Sequence, residues 1–255
     1  MILAVDIGNS NIVLGGMEGQ KITFEARVRT DSTKTSDEYC IDLKNILDIY
    51  GVERSAVEGA IVASVVPQVL NSIKTAIKKL TGKNSLVVGP GLKTGLNIKV
   101  ENPSQTGADL VVGAVAALRE HKPPMIVIDM GTATTMTVLD PDGAHLGGCV
   151  CPGVKISLES LTAKTSLLPG IPLDKPRQAL GRNTADAMRS GIMFGAAAML
   201  DGMIDRFMEE TGWAFTIVAT GGLAKRIVPL CRHEILYDRH LIIKGLAKLY
   251  RDNRL

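Results

Sequence analysis

Met125-Ile126-Val127-Ile128 followed by Asp129-Met130-Gly131-Thr132-Ala133-Thr134-Thr135 and then Met136 to Leu139 is the stretch on which the fold turns. A short apolar run delivers an aspartate, Asp-x-Gly makes a turn rich in hydroxyl side chains, and a second apolar run leads away. The run is too short for a buried helix and is bounded by turn residues, so it reads as strand, tight turn, strand. The same plan stands near the start of the chain, where Ile2 to Val5 is followed by Asp6-Ile7-Gly8-Asn9-Ser10-Asn11 and then by Ile12 to Leu14. Two copies half a chain apart imply a duplicated domain, since a solenoid would repeat at much shorter intervals.

Working outward from the two copies, strand and helix signals alternate. Thr35-Ser36-Asp37-Glu38 is a capping box for a helix running to about Tyr50 and stopping at Gly51. Ala60 to Val66 reads as a buried strand, and Pro67 starts a helix that ends near Gly82. Gly107 to Glu120 has helical character, and Pro123 and Pro124 end it before the second copy begins. Asp140-Pro141-Asp142-Gly143 is a turn, and Thr184 is expected to cap a long helix reaching about Glu210. Phe215 to Ala219 reads as a strand, with Gly221-Gly222 leading into another helix. The expectation is an α/β fold with mixed sheets, in lobes 1–122 and 123–255.

Composition narrows the partners. Twenty-nine basic and 26 acidic residues in 255 leave a formal charge of +3, and the basic residues are scattered rather than banded. With aromatics at 4%, neither an electrostatic face nor a stacking platform for nucleic acid is expected. No apolar run approaches a membrane span, and Met1 to Val5 reads as a first strand rather than a leader peptide. Cys40, Cys149, Cys151 and Cys231 lack zinc-ribbon spacing, which suits a reducing cytoplasm. His145, Cys149 and Cys151 suggest a metal site at first sight, but two cysteines at alternate positions of a strand share a packing face, and packing is the expected role.

The chemistry-bearing residues lie at the turns. Gly8 could adopt a positive φ that lets backbone N–H groups converge on an anion, with Asn9 and Ser10 adding donors. A carboxylate such as Asp6 among phosphate-binding groups calls for Mg²⁺ between it and a nucleotide. Alone, each turn is equally a polar hairpin; as a pair they could address the phosphates of one nucleotide. Thr132 supplies a hydroxyl in the second turn, while Thr134 and Thr135 also suit a strand. Met188, Met193, Met199 and Met203 on the long helix read as core.

Paired Asp-Gly turns followed by Thr220-Gly221-Gly222 resemble the actin and sugar-kinase superfamily, which implies a duplicated actin-like (ribonuclease H-like) fold closing on ATP. The order of Asp6 to Asn11, Ala63-Ser64-Val65-Val66-Pro67, Gly107-Ala108-Asp109, Asp129 to Thr135, Gly147 to Gly153, Gly181-Arg182-Asn183-Thr184 and Ser190-Gly191 is similar to that of type III pantothenate kinases. The resemblance implies transfer of the ATP γ-phosphoryl group to pantothenate, the first step of coenzyme A synthesis, by a homodimer. It further implies that Asp6, Ile7, Gly8, Asn9, Ser10, Asn11, Ile12 and Val13, with Thr132, hold ATP. Gly107, Ala108, Asp109, Leu110 and Thr184 would line the pantothenate site, and Asp129 would bind K⁺ or NH₄⁺. Asp109 would be the base, a role that a kinase acting on an alcohol requires of some carboxylate; its bland counterpart is an acid favoured in the first turn of a helix.

Three departures stand against the pattern. Many relatives carry arginine at Leu110, many asparagine at Gly113 and some tyrosine at Val100. Leucine cannot hold a phosphate or carboxylate, so another cation, with Arg182 the nearest in sequence to Thr184, must serve if the chain is an active kinase. The alternatives are a paralogue acting on another small alcohol and a catalytically weak, nucleotide-binding regulatory protein.

Overall fold

The computed structural model describes residues 1–254. In chain order its strands are β1 (Ile2–Ile7), β2 (Asn11–Glu18), β3 (Lys21–Arg29), β4 (Gly59–Ser64), β5 (Ser85–Val87), β6 (Met125–Met130), β7 (Ala133–Leu139), β8 (His145–Pro152), β9 (Thr216–Thr220) and β10 (Leu236–Tyr237). The helices are α1 (Ser36–Ile49), α2 (Pro67–Thr81), α3 (Ala108–Glu120), α4 (Val154–Lys164), α5 (Thr184–Thr211), α6 (Ala224–Ile227) and α7 (Leu241–Asp252).

Among the described residues the strands form two five-stranded sheets, ordered β3-β2-β1-β4-β5 and β8-β7-β6-β9-β10. In the first, β1 runs antiparallel to β2 and parallel to β4, and β2 runs antiparallel to β3. In the second, β6 runs antiparallel to β7 and parallel to β9, and β7 runs antiparallel to β8. Order and direction therefore repeat, and the duplication expected from the two Asp-x-Gly stretches is a property of the whole sheet.

The chain divides into two compact units: unit 1 comprises Met1–Leu96, Glu101–Ala116 and His240–Leu255, and unit 2 comprises Asn97–Val100 and Ala117–Arg239. This differs from a single cut between 122 and 123 chiefly at the C-terminal end, where α7 packs on β1, β2 and β4. The cause is an unfilled apolar face. The helices α1 and α2 cover one side of the first sheet, where Leu3, Val5 and Ile7 meet Tyr39, Leu43 and Ile73. The side chain of Ile243 on α7 then lies against Gly15 of β2 on the other. Fully burying a side chain of this size stabilises by roughly 1.5–3 kcal/mol, which favours covering both faces of a central strand. In unit 2, Ile126, Ile128 and Met136 pack with Met188 and Met193 of α5, while Met199 and Met203 lie against the same core, as read from the sequence.

Local signals set several boundaries. Thr35 accepts from the Glu38 N–H while Glu38 reaches back to the Thr35 backbone, completing the capping box of α1. Pro67 opens α2 and Gly82, left-handed at φ 73°, ends it. The cap of α5 differs from expectation: Asn183 is the N-cap, its Oδ1 accepting from the Asp186 N–H at 2.9 Å, and Thr184 is the first helical residue. Both side chains can cap, and Asn183 takes the extended backbone that the cap position needs.

Candidate active site

In unit 1 the first turn begins at Asp6, half-buried near the end of β1 and paired with Val13 of β2 and Ala63 of β4. The Gly8 N–H donates to the Asn11 carbonyl at 3.0 Å and closes the turn. Asn9, Ser10 and Asn11 are exposed, whereas Ile7 and Ile12 are fully buried. Of the expected nucleotide segment, these two isoleucines therefore act as core anchors and offer a ligand only their backbone. Gly8 does not take the positive φ expected of it. Its space is what matters, since a Cβ there would lie 3.2 Å from the Asn11 carbonyl oxygen that closes the turn.

The other candidate residues of unit 1 lie at the start of α3. Asp109 stands in its first turn, half-buried with Gly107, Ala108 and Leu110. Its Oδ1 accepts from the Leu110 N–H at 2.9 Å, and Gly107 leaves room for the carboxylate, because a Cβ there would come within 2.4 Å of Oδ1. Burial raises the Asp109 carboxyl above its ordinary value of 3.8, and the hydrogen bond from Leu110 only partly offsets it. A desolvated carboxylate has greater proton affinity, which is the property a general base uses.

In unit 2, Asp129 is half-buried near the end of β6, paired with Thr135 of β7 and Thr220 of β9. The Gly131 N–H donates to the Ala133 carbonyl at 3.0 Å, so this turn is one residue shorter than the first. Thr132 is half-buried within it, and Thr134 is buried with a hydroxyl that finds no partner. Gly221, left-handed at φ 100°, presses on the Met130 backbone, where a Cβ would lie 2.6 Å from three of its atoms. The Thr220-Gly221-Gly222 turn is thus packed against the end of β6, and α6 after it is a single turn of helix.

Thr184 is exposed in the first turn of α5, and Arg182 is exposed just before it. Arg189 lies half-buried one turn further along: it pairs with Asp186 at 2.7 Å, and its Nε is buried without a partner. An acid three residues before an arginine in the first turns of a helix was the readable signal. Val100 is half-buried in unit 2, and Gly113 is buried within α3. Cys149 packs on the core of unit 2, and burial raises its thiol to about 11. No group of three or more side chains placed to hold a metal occurs among the described residues, and no described helix is long and apolar enough to cross a membrane.

Two units of one sheet plan, each with a glycine turn following an aspartate, define a duplicated actin-like α/β fold. The chain resembles two solved structures of that architecture. One is an activator of 2-hydroxyisocaproyl-CoA dehydratase from Clostridium difficile with bound ADPNP, with TM-score 0.56 and 12% identity, covering 98% of this chain and 93% of that one. The other is the ROK hexokinase of Thermus thermophilus, with TM-score 0.50 and 12% identity over 98% of each chain. At the sequence level, the profile of type III pantothenate kinase matches residues 2–206. A type III pantothenate kinase of Brevibacillus brevis is 42% identical over the full length of both proteins. The chain belongs to the type III pantothenate kinase family.

Proposed function

We propose that the chain transfers the γ-phosphoryl group of ATP to the primary hydroxyl of pantothenate, giving 4′-phosphopantothenate for coenzyme A synthesis, with Asp109 as general base. The observation that carries the base assignment is a carboxylate desolvated at the start of α3. Asp109 accepts the hydroxyl proton as the oxygen attacks the γ-phosphorus in line and ADP departs. Such transfer depends mainly on alignment and charge stabilisation, so a modestly raised basicity suffices. Backbone and side-chain donors of Asn9, Ser10 and Asn11 hold ATP phosphates, and the Thr132 hydroxyl of the second turn is a further donor suited to phosphate. Asp6 supplies a carboxylate for the Mg²⁺ that accompanies ATP, an ion that offsets phosphate charge when bound. Gly107 to Leu110 hold pantothenate, and the N-terminus of α5 at Thr184 suits a carboxylate. Exposed Arg182, two residues before Thr184, adds a positive charge beside that helix N-terminus.

Asp109→Asn tests the base. The amide keeps the shape and an acceptor for the Leu110 N–H while losing proton affinity, so single-turnover transfer should fall by roughly 100-fold or more with ATP binding retained. Transfer near the wild-type rate would remove Asp109 from the role.

Asp129 binds K⁺ or NH₄⁺. Its support is a half-buried carboxylate at a strand end beside the second glycine turn, where a cation offsets repulsion from phosphate. Activity should be high in K⁺ or NH₄⁺ and low in Na⁺, and Asp129→Ala should lose both activity and the salt preference. Equal wild-type rates in all three salts would contradict the assignment. The enzyme acts in the cytoplasm as a homodimer: its four cysteines are free, and unit 2 exposes apolar side chains on β8 and α4.

A further inference from the structure

The turn after β1 is held from outside by a residue that no catalytic role requires. Thr30, immediately after β3, donates its hydroxyl to the Gly8 carbonyl at 2.6 Å and its backbone N–H to the Ser10 carbonyl at 3.1 Å. Because a peptide unit is planar and trans, holding the Gly8 carbonyl towards Thr30 turns the Asn9 N–H to the opposite side, and holding the Ser10 carbonyl does the same for the Asn11 N–H. Thr30 is itself fixed through its neighbour. The Tyr39 hydroxyl accepts from the Asp31 N–H at 3.0 Å and donates to the Asp31 carbonyl at 2.7 Å. Tyr39 is only 1% exposed within the core under α1. A buried ring on a capped helix thus anchors Asp31, Asp31 anchors Thr30, and Thr30 sets the direction of the exposed turn.

We propose that Thr30 is a positioning residue for nucleotide binding, which aims the N–H groups of the Gly8–Asn11 turn at the phosphates of ATP. The proposal rests on the reading that this turn holds phosphate. A preset array of N–H groups binds an anion without the cost of ordering the loop, so loosening it should weaken ATP and leave pantothenate alone.

The test uses the full-length enzyme. Thr30→Val keeps the branched shape and the backbone N–H but deletes the hydroxyl, while Thr30→Ser keeps the hydroxyl. Thr30→Val should raise the KM for ATP, and the Kd for a non-hydrolysable ATP analogue, by roughly 2- to 12-fold, the range for loss of one neutral hydrogen bond. Its KM for pantothenate should stay within about twofold, and Thr30→Ser should return ATP affinity to near wild type. Tyr39→Phe, which loosens Asp31 without altering Thr30, should move ATP affinity the same way by less and gives a second reading if Thr30→Val folds poorly. Ser10→Ala and Asn9→Ala separate the two claims. If these weaken ATP while Thr30→Val and Tyr39→Phe do not, the positioning role is wrong and the phosphate turn stands. If none of the four changes ATP affinity, the phosphate turn fails and takes the proposal with it. Equal loss for ATP and pantothenate in Thr30→Val would show a merely structural contact and also overturn it.

Discussion

At Asp109 the protein keeps a carboxylate partly out of water, where it accepts from the Leu110 N–H at 2.9 Å. Because burial raises its folded-state pKa, the folded form holds the proton more tightly than the unfolded chain. The stabilising contribution of that proton is complete below the unfolded pKa and is lost as pH rises through the folded value. At neutral pH Asp109→Asn should melt no lower than wild type while being nearly inactive, and the acid limb of the wild-type pH–rate profile should lie above the ordinary value of 3.8. A clear fall in melting temperature would mean that the ionised carboxylate is a structural anchor. Candidates of this kind were partly legible in the sequence. Asp6, Gly8 and Asp129 stand out as candidates by repetition, and Asp109 only through its place in an ordered set of motifs. The φ of Gly8 was misread because a glycine in a turn more often serves an unusual dihedral than a close approach. Thr30 was invisible, since its role depends on β3 lying beside β2, a long-range pairing that no local pattern announces.

Among the elements, those with chemical punctuation were readable: the capping box of α1, Pro67 and Gly82 around α2, and the prolines after α3. Elements whose limits depend on neighbours were not. Three-residue β5 exists because β4 offers it an edge, and β3 exists as the outer partner of β2. On the edge of the second sheet, β8 alternates half-buried and exposed positions after His145, with Val150 73% exposed, and α4 after it exposes Ile156 and Leu161. Apolar side chains concentrated on an edge strand and the next helix are a surface that a second copy can cover. The chain should therefore sediment at twice its own mass at micromolar concentration, and Val150→Glu should shift it towards monomer without unfolding it. A wild-type monomer under those conditions would contradict the homodimer.

At the scale of the molecule, duplication was legible because both halves state the same strand-turn-strand in the same residue types. The return of α7 to unit 1 was not, because an amphipathic helix does not record which sheet it will cover. Nor does the fold by itself choose between kinase and regulator, since the same architecture serves a hexokinase and a dehydratase activator. Family membership and a desolvated Asp109 favour the kinase, while Leu110 is the residue that could have undone it. The direct test is ADP formation by purified wild-type protein in potassium buffer with Mg²⁺ and ATP, measured with and without pantothenate. Turnover should appear only with pantothenate and yield 4′-phosphopantothenate in equal amount to ADP. Nucleotide binding without any pantothenate-dependent ADP formation would contradict the account and leave a nucleotide-responsive regulatory protein in its place.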